Sequence, residues 1–279
     1  MGNHSNKILI TGAGGFIGGS LFEKIRHLNP LGVVSHFNGA VNDKNLLEAD
    51  LRDEGRVREI LNRYKPSIIF HFAGFSSPQR NEKNPKLAQD SNIGITEKIL
   101  NNLPDDTHII FPSTDKVFDG TDPDPDEEAR INPLWLYADL KYQCEKMIAK
   151  KTKRFHIVRL PIVHSRGEII AANRGSFIDK AIIDLRAGKE VTVFKNIKRC
   201  FLRIEDLLDL FEVLLNDTNY GTYHVGTKLM SYFDRLSVLC DELGIDGRDK
   251  IIASEGMTNP LVQNLNTDKL KKTFGVVLT

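Results

Sequence analysis

Tyr137 and Lys141 stand four residues apart in the run Asn132-Pro133-Leu134-Trp135-Leu136-Tyr137-Ala138-Asp139-Leu140-Lys141. That spacing puts a phenol and an ammonium on one face of a helix. A neighbouring cation stabilises phenolate, so a tyrosine that ordinarily titrates near pH ~10 is expected to exchange a proton at neutrality and to act as general acid in a carbonyl reduction. Upstream, Ile109-Ile110-Phe111-Pro112-Ser113-Thr114-Asp115-Lys116 places hydroxyls at the carboxyl end of a strand, the edge where open parallel sheets bind ligands. Thr114 there suits the carbonyl oxygen that Tyr137 would protonate. Asp115 beside it is expected to meet the substrate as well, and capping the next turn is the alternative use for either.

A second group binds anions. Thr11-Gly12-Ala13-Gly14-Gly15-Phe16-Ile17-Gly18 follows an apolar strand and opens an apolar-periodic helix. Gly12, Gly15 and Gly18 permit a tight turn, close approach of backbone to a pyrophosphate, and tight helix-to-strand packing, while the helix N-terminus offers free N–H groups. In this context the motif predicts a nicotinamide dinucleotide, NAD or NADP. The acidic residue that holds an adenine ribose would fall in Val33-Val34-Ser35-His36-Phe37-Asn38, which has neither that carboxylate nor an arginine for a 2′-phosphate. Both cofactors stay open. Asp50-Leu51, after a third short strand, places a carboxylate near the adenine amino group or caps the following helix.

The elements that carry these groups alternate. Apolar runs at Ile8-Leu9-Ile10, Ile68-Ile69-Phe70, Ile109-Ile110-Phe111 and Ile157-Val158-Arg159-Leu160 suit strands buried on both faces. Helical periods lie between them, clearest at Ile17, Leu21, Ile25 and Leu28 and at Val57, Ile60, Leu61 and Tyr64. The predicted fold is α/β, a Rossmann-type doubly wound parallel sheet with a small C-terminal substrate-binding lobe. Asp122-Pro123-Asp124-Pro125-Asp126 reads as an exposed loop. Later segments predict helices over 176–187, 205–215 and 231–243 and strands over 191–194 and 223–225. The expected division is 1–161 plus about 199–226 for the dinucleotide-binding domain, and about 162–198 plus 227–279 for the lobe.

Composition removes other classes. With 279 residues and a formal charge of +1, the chain can bury a sizeable core but has no long-range attraction for nucleic acid or an anionic membrane. No long apolar segment marks a membrane span or signal peptide, and a cytoplasmic location is expected. Cys144, Cys200 and Cys240 lack paired spacing and read as small buried apolar residues. His71, His164 and His224 have no second ligand at suitable spacing and are expected to make local hydrogen bonds; no metal is expected.

Together these residues resemble the extended short-chain dehydrogenase/reductases, and within them the dTDP-4-dehydrorhamnose reductase branch. The matching pieces are residues 11–18, 49–53, 65–74, Asn92, 113–120, 137–141, 159–161, 199–207 and 223–226. The resemblance implies Thr114, Tyr137 and Lys141 as a catalytic triad, with Asn92 supporting it through the active-site helix and Lys141 also holding the nicotinamide ribose. It further implies that Ala73, Gly74 and Pro161 line the cofactor groove and that Arg199 grips the substrate diphosphate with its planar fork. Ser20 replaces the glutamate of a magnesium-linked dimer, so neither that metal nor that dimer is carried over, though a homodimer remains open. Lys116 replaces the carboxylate base of the sugar 4,6-dehydratases, which counts against dehydration.

The resulting expectation is NAD(P)-dependent reduction of a nucleotide-linked 4-keto sugar. A nucleotide-sugar 4-epimerase and a catalytically idle dinucleotide-binding regulatory subunit are the alternatives. Ser76 and Ser77 are placed for a sugar hydroxyl or for a turn. Arg174 and Phe177 suit the sugar nucleotide, or ordinary helix-start and core roles.

Overall fold

A computed structural model describes residues 6–36, 43–165, 175–257 and 260–278. The first half alternates as expected: β1 (Ile8–Thr11), α1 (Phe16–Lys24), β2 (Leu31–Val34), β3 (Leu46–Glu48), α2 (Glu54–Tyr64), β4 (Ile68–His71), α3 (Pro78–Lys83), α4 (Pro85–Gln89), α5 (Ile95–Asn101), β5 (His108–Thr114), α6 (Leu136–Lys151) and β6 (Phe155–Leu160). Then come β7 (Ile162–His164), α7 (Phe177–Arg186), β8 (Val191–Phe194), β9 (Lys198–Arg199), β10 (Phe201–Arg203), α8 (Ile204–Leu214), β11 (Gly221–His224), β12 (Met230–Ser231), α9 (Tyr232–Leu243), β13 (Ile251–Ser254) and α10 (Asp268–Phe274).

A seven-stranded sheet runs in the order β11-β6-β5-β4-β1-β2-β3, with β1–β2, β2–β3, β1–β4 and β4–β5 all parallel. Strand order reverses between β1 and β4, the topological switch point at which doubly wound sheets bind ligands. Every residue of β1, β4 and β5 is buried, which explains their unbroken apolar runs.

Local signals set the helix ends. Asp53 caps α2 by accepting from the N–H groups of Gly55 and Arg56, so Asp50 is not that cap. The apolar period of α1 extends to Leu28, but the α-helix stops at Lys24 and tightens to a 3-10 turn that ends on Asn29 at φ 52°. Left-handed backbone of that kind terminates helices, and asparagine tolerates it. Ser176 and Asp179 form a capping box at the start of α7.

The chain divides into two compact units, residues 1–117, 133–158 and 211–222, and residues 118–132, 159–210 and 223–279. In the first, Leu9, Val33, Leu51, Val57, Leu61, Ile69 and Ile99 form one apolar cluster, and Ile109, Phe111, Cys144, Ile148 and Ile157 form another. In the second, α7, α9, β8 and β13 enclose Ile182, Leu185, Val193, Leu236 and Leu239. These boundaries differ from those expected at 161 and about 199–226. The segment holding the acidic loop belongs with the second unit because its backbone and side chains are bonded there: Gln263 Nε2 donates to the Phe118 carbonyl, Asn266 N to the Pro125 carbonyl, and His224 N to the Glu127 side chain at Oε1.

Candidate active site

The carboxyl end of β5 supplies the hydroxyl. Thr114 is buried, its Oγ1 donates to Asp115 Oδ1 at 3.2 Å, and it accepts from Lys116 N at 3.3 Å. Opposite this strand end, α6 begins without a side-chain cap of its own; Glu82 of α3 accepts instead from Leu136 N at 2.8 Å and fixes where the helix starts. One residue later stands Tyr137, with the Thr114 hydroxyl near enough to favour its phenolate.

This phenol does not behave as expected. Burial, then the charge of Asp115, hold its pKa well above the ordinary tyrosine value, and only the Thr114 bond opposes them. Lys141 does not outweigh these effects, because its ammonium is buried and bonded to backbone. It is buried, donates to the Pro112 carbonyl at 2.8 Å and lies 4.3 Å from the centroid of the Phe111 ring. Burial pulls the lysine down to about 8, against the partial opposition of Cys144 and Glu145. The cluster therefore holds a protonated phenol beside a hydroxyl, with a cation one helical turn away. That is the ground state of a proton donor.

The glycine turn follows β1. Gly12 has φ +71°, and a Cβ there would stand 2.7 Å from Ala73 N and Phe72 C, so the turn packs directly on the segment after β4. A Cβ on Gly18 would come within 2.5 Å of the Gly12 oxygen. Gly15 is the N-cap of α1, which carries neither a side-chain cap nor an acidic residue in its first turn. Gly14, Phe16 and Ile17 are partly exposed at the same place. Uncapped, charge-free N–H groups behind a glycine bend fit a dinucleotide pyrophosphate.

The remaining expected residues divide. Ala73 donates its N–H to Thr11 Oγ1 at 3.1 Å, and Gly74 has φ +155° with the Asn92 amide only 2.7 Å from where a Cβ would be. Asn92 sits in a π-helical turn, Asp90–Gly94. Its Oδ1 accepts from Phe75 N at 3.1 Å and its Nδ2 donates to the Ala88 carbonyl at 2.8 Å. Asn92 thus braces the loop after β4 directly. Ser76 is exposed on that loop, while Ser77 caps α3 by accepting from Arg80 N. Asp50 is held by Arg52 at 2.7 Å, and Leu51 is buried in the core.

Arg199 does not present a free fork. It is buried in the second unit, where Nη1 donates to the carbonyls of Lys198 and Leu261 and Nη2 to that of Pro260, so it fastens backbone instead of awaiting a diphosphate. Pro161 is buried between β6 and β7. Phe177 is exposed at the start of α7, its ring edge-on to Tyr232. Arg174 lies outside the described residues, as do Phe37 and Asn38.

His71, His164 and His224 are buried and hydrogen-bonded, to Thr11 and Thr96, to Ser165 and Arg235, and to Arg159 respectively. The three cysteines are buried. Glu82, Asn81 and Thr96 were not foreseen. Asn81 donates to the carbonyls of Phe75 and Ser77, both at 2.7 Å, and so shapes the loop from inside. A polar residue in a helix facing a loop carries no periodic signature, so spacing alone does not reveal it. Among the described residues no helix is long and apolar enough to cross a membrane.

Comparison with known proteins places this geometry. Residues 6–279 match the family model described as RmlD substrate binding domain. Methionine adenosyltransferase 2 subunit beta of Rattus norvegicus is 28% identical over 165 residues, 59% of this chain and 49% of that protein. The chain spans about half the length of the curated relatives of that kind. Spore coat polysaccharide biosynthesis protein SpsK of Bacillus subtilis is 25% identical over 243 residues, covering 86% of this chain and 80% of that one. The crystal structure of dTDP-4-dehydrorhamnose reductase from Bacillus anthracis in complex with NADP superimposes with TM-score 0.83 at 20% identity, over 98% of this chain and 94% of that chain.

Proposed function

The chain belongs to the RmlD substrate binding domain family, and from that premise we propose that it reduces the 4-keto group of a nucleotide-linked sugar with NADH or NADPH. The observation that carries the reading is the buried Tyr137 phenol beside Thr114 at the start of α6, with Lys141 one turn along the same helix and fastened to the Pro112 carbonyl of the strand that ends in Thr114. A merely dinucleotide-binding protein has no need of a protonated phenol at the ligand edge of its sheet.

The steps follow from the chain's own groups. The turn from Gly12 to Gly18 binds the pyrophosphate through N–H groups at the start of α1. When bound, the reduced dinucleotide supplies the hydride. Thr114 turns its hydroxyl from Asp115 toward the sugar's carbonyl oxygen and fixes it in place. Tyr137 gives its proton to that oxygen as negative charge develops there, and the cation of Lys141 favours the phenolate left behind. Alignment of these groups supplies most of the protein's contribution. Ser76, exposed on the loop after β4, is placed for a sugar hydroxyl. Assembly as a homodimer and a cytoplasmic location belong to the same proposal.

The test is a screen of nucleotide-linked 4-keto sugars with NADH and with NADPH, following absorbance of the reduced cofactor. Steady consumption supports the reductase. Interconversion of two sugars without net consumption would replace it with an epimerase. Dinucleotide binding with no turnover on any of them would favour a catalytically idle regulatory subunit instead.

A further inference from the structure

A buried chain of hydrogen bonds runs beneath the carboxyl edge of the first unit's strands, and the reaction does not use it. Ala73 N donates to Thr11 Oγ1 at 3.1 Å, Thr11 Oγ1 lies 2.8 Å from His71 Nδ1, His71 Nε2 lies 3.0 Å from Thr96 Oγ1, and Thr96 Oγ1 donates to the Asn92 carbonyl at 2.7 Å. Thr96 Oγ1 is also 3.3 Å from Cys144 Sγ, on α6 one turn beyond Lys141. Thr11, His71, Thr96 and Cys144 are each 2% exposed or less. One end of the chain is the first residue of the phosphate-binding turn, and the other is the helix of Tyr137 and Lys141.

Proton counting fixes how this chain is wired. Thr11 Oγ1 accepts from Ala73, and His71 Nδ1 is the acceptor within reach of its single proton, which therefore goes there. His71 must then carry its proton on Nε2 and donate to Thr96, whose own proton goes to the nearer Asn92 carbonyl and whose remaining lone pair receives the Cys144 S–H. All donors then point one way, from Ala73 to Asn92. The opposite tautomer leaves the Thr11 proton without this acceptor and turns the Thr96 proton back from Asn92, and an imidazolium likewise removes the acceptor on Nδ1. Burial and the nearby Lys141 charge also keep the ring neutral, at about 3. A second contact joins the same groups: the Phe111 ring lies 5.7 Å from the His71 ring and 4.3 Å from Lys141 Nζ.

We propose that His71 is a positioning residue, which through Thr96 and Cys144 ties the phosphate-binding turn to the helix that carries Lys141 and so sets where the ammonium stands. The proposal rests on the reading of Tyr137 and Lys141 as the proton-handling pair. It deepens that reading by assigning a role to three residues outside the triad.

The experiment has two parts. In the wild-type protein, 15N NMR of the histidine rings should show His71 as the neutral Nε2–H tautomer from pH 5 to pH 8; an Nδ1–H tautomer, or titration of that ring within the range, overturns the proposal without any variant. The second part uses Thr96→Val, which keeps the shape and removes the hydroxyl, and Thr96→Ser, which restores it. Thr96→Val should lower kcat by about tenfold or more and displace the alkaline limb of the pH profile, with the KM for the reduced dinucleotide within about threefold, and Thr96→Ser should recover both. A Thr96→Val protein that melts at lower temperature but keeps kcat and its pH limb reduces the chain to a structural one and overturns the proposal. If the wild type turns over no keto sugar, the function reading fails by itself, and the lysine ε-13C titration decides here: a Lys141 pKa moved by Thr96→Val supports the positioning role, an unmoved one overturns it.

Discussion

Lys141 Nζ donates to the carbonyl of Pro112 at 2.8 Å, which moors the ammonium to the strand that ends in Thr114, while burial keeps the Tyr137 phenol protonated. Two consequences follow, one for each titrating group. The phenol keeps its proton across the physiological range. The lysine, desolvated, sits at about 8 and loses its charge earlier than a surface lysine at 10.5.

Activity should therefore fall on the alkaline side. In the free enzyme, kcat/KM is expected to decline as pH rises through about 8, because the neutral amine no longer favours the phenolate. Stability moves the other way. Between about 8 and 10.5 the unfolded chain holds the proton that the folded lysine has released, so this group adds to folding stability as pH rises through that window. A pH profile measured beside melting curves separates the two. Activity lost only in step with melting would remove Lys141 as the cause.

The glycine turn makes a steric prediction. Gly18→Ala brings a Cβ to 2.5 Å from the Gly12 oxygen, and Gly12→Ala brings one to 2.7 Å from Ala73 N at a φ of +71°. Backbone on both sides cannot yield cheaply, so each is expected to cost about 1–3 kcal/mol and to abolish dinucleotide binding. Gly94→Ala is the control. Its φ is −60° and its nearest neighbour is the flexible end of Lys98 at 3.5 Å, so binding should persist and stability change by less than about 1 kcal/mol. Denaturant melts with dinucleotide titrations check all three.

Acid should unfold the protein through its buried imidazoles. His71, His108 and His224 are each held neutral at about 3, burial being the leading cause, and His108 Nε2 lies only 2.7 Å from His156 Nδ1. Their folded pKa values lie below the unfolded value of 6.5, so the unfolded chain takes up protons that the folded one refuses, and stability is lost as pH falls below about 6.5 toward 3. Each ring contributes at most about 1.4 kcal/mol per pH unit in that window. Denaturant unfolding at pH 7 and pH 5 should differ by several kcal/mol, with net proton uptake. Equal stability at the two values would show that these rings titrate while folded.

The sheet and the phosphate turn were readable because their physics is local. Unbroken runs such as Ile68-Ile69-Phe70 mark strands buried on both faces, and Gly12, Gly15 and Gly18 mark a bend that only glycine makes. The helix from Ser176 and the strand from Val191 fell where capping and alternation put them. What spacing could not show was the direction of a side chain. A spacing of four places Tyr137 and Lys141 on one face, yet the ammonium turns to Pro112, and nothing in the sequence says that burial will outweigh the cation at the phenol. Arg199 failed for the same reason: a guanidinium finds carbonyls wherever the chain returns, here at residues 260 and 261, more than sixty residues on. Glu82 and Asn81 act across helix-to-loop contacts that have no period at all.

If the Tyr137 phenol delivers the proton, Tyr137→Phe removes the donor and leaves the ring in place. With a nucleotide-linked 4-keto sugar and reduced dinucleotide, turnover should fall by about 10²–10⁴-fold while the dinucleotide dissociation constant stays within about threefold of wild type. Turnover left at the wild-type rate would contradict the claim.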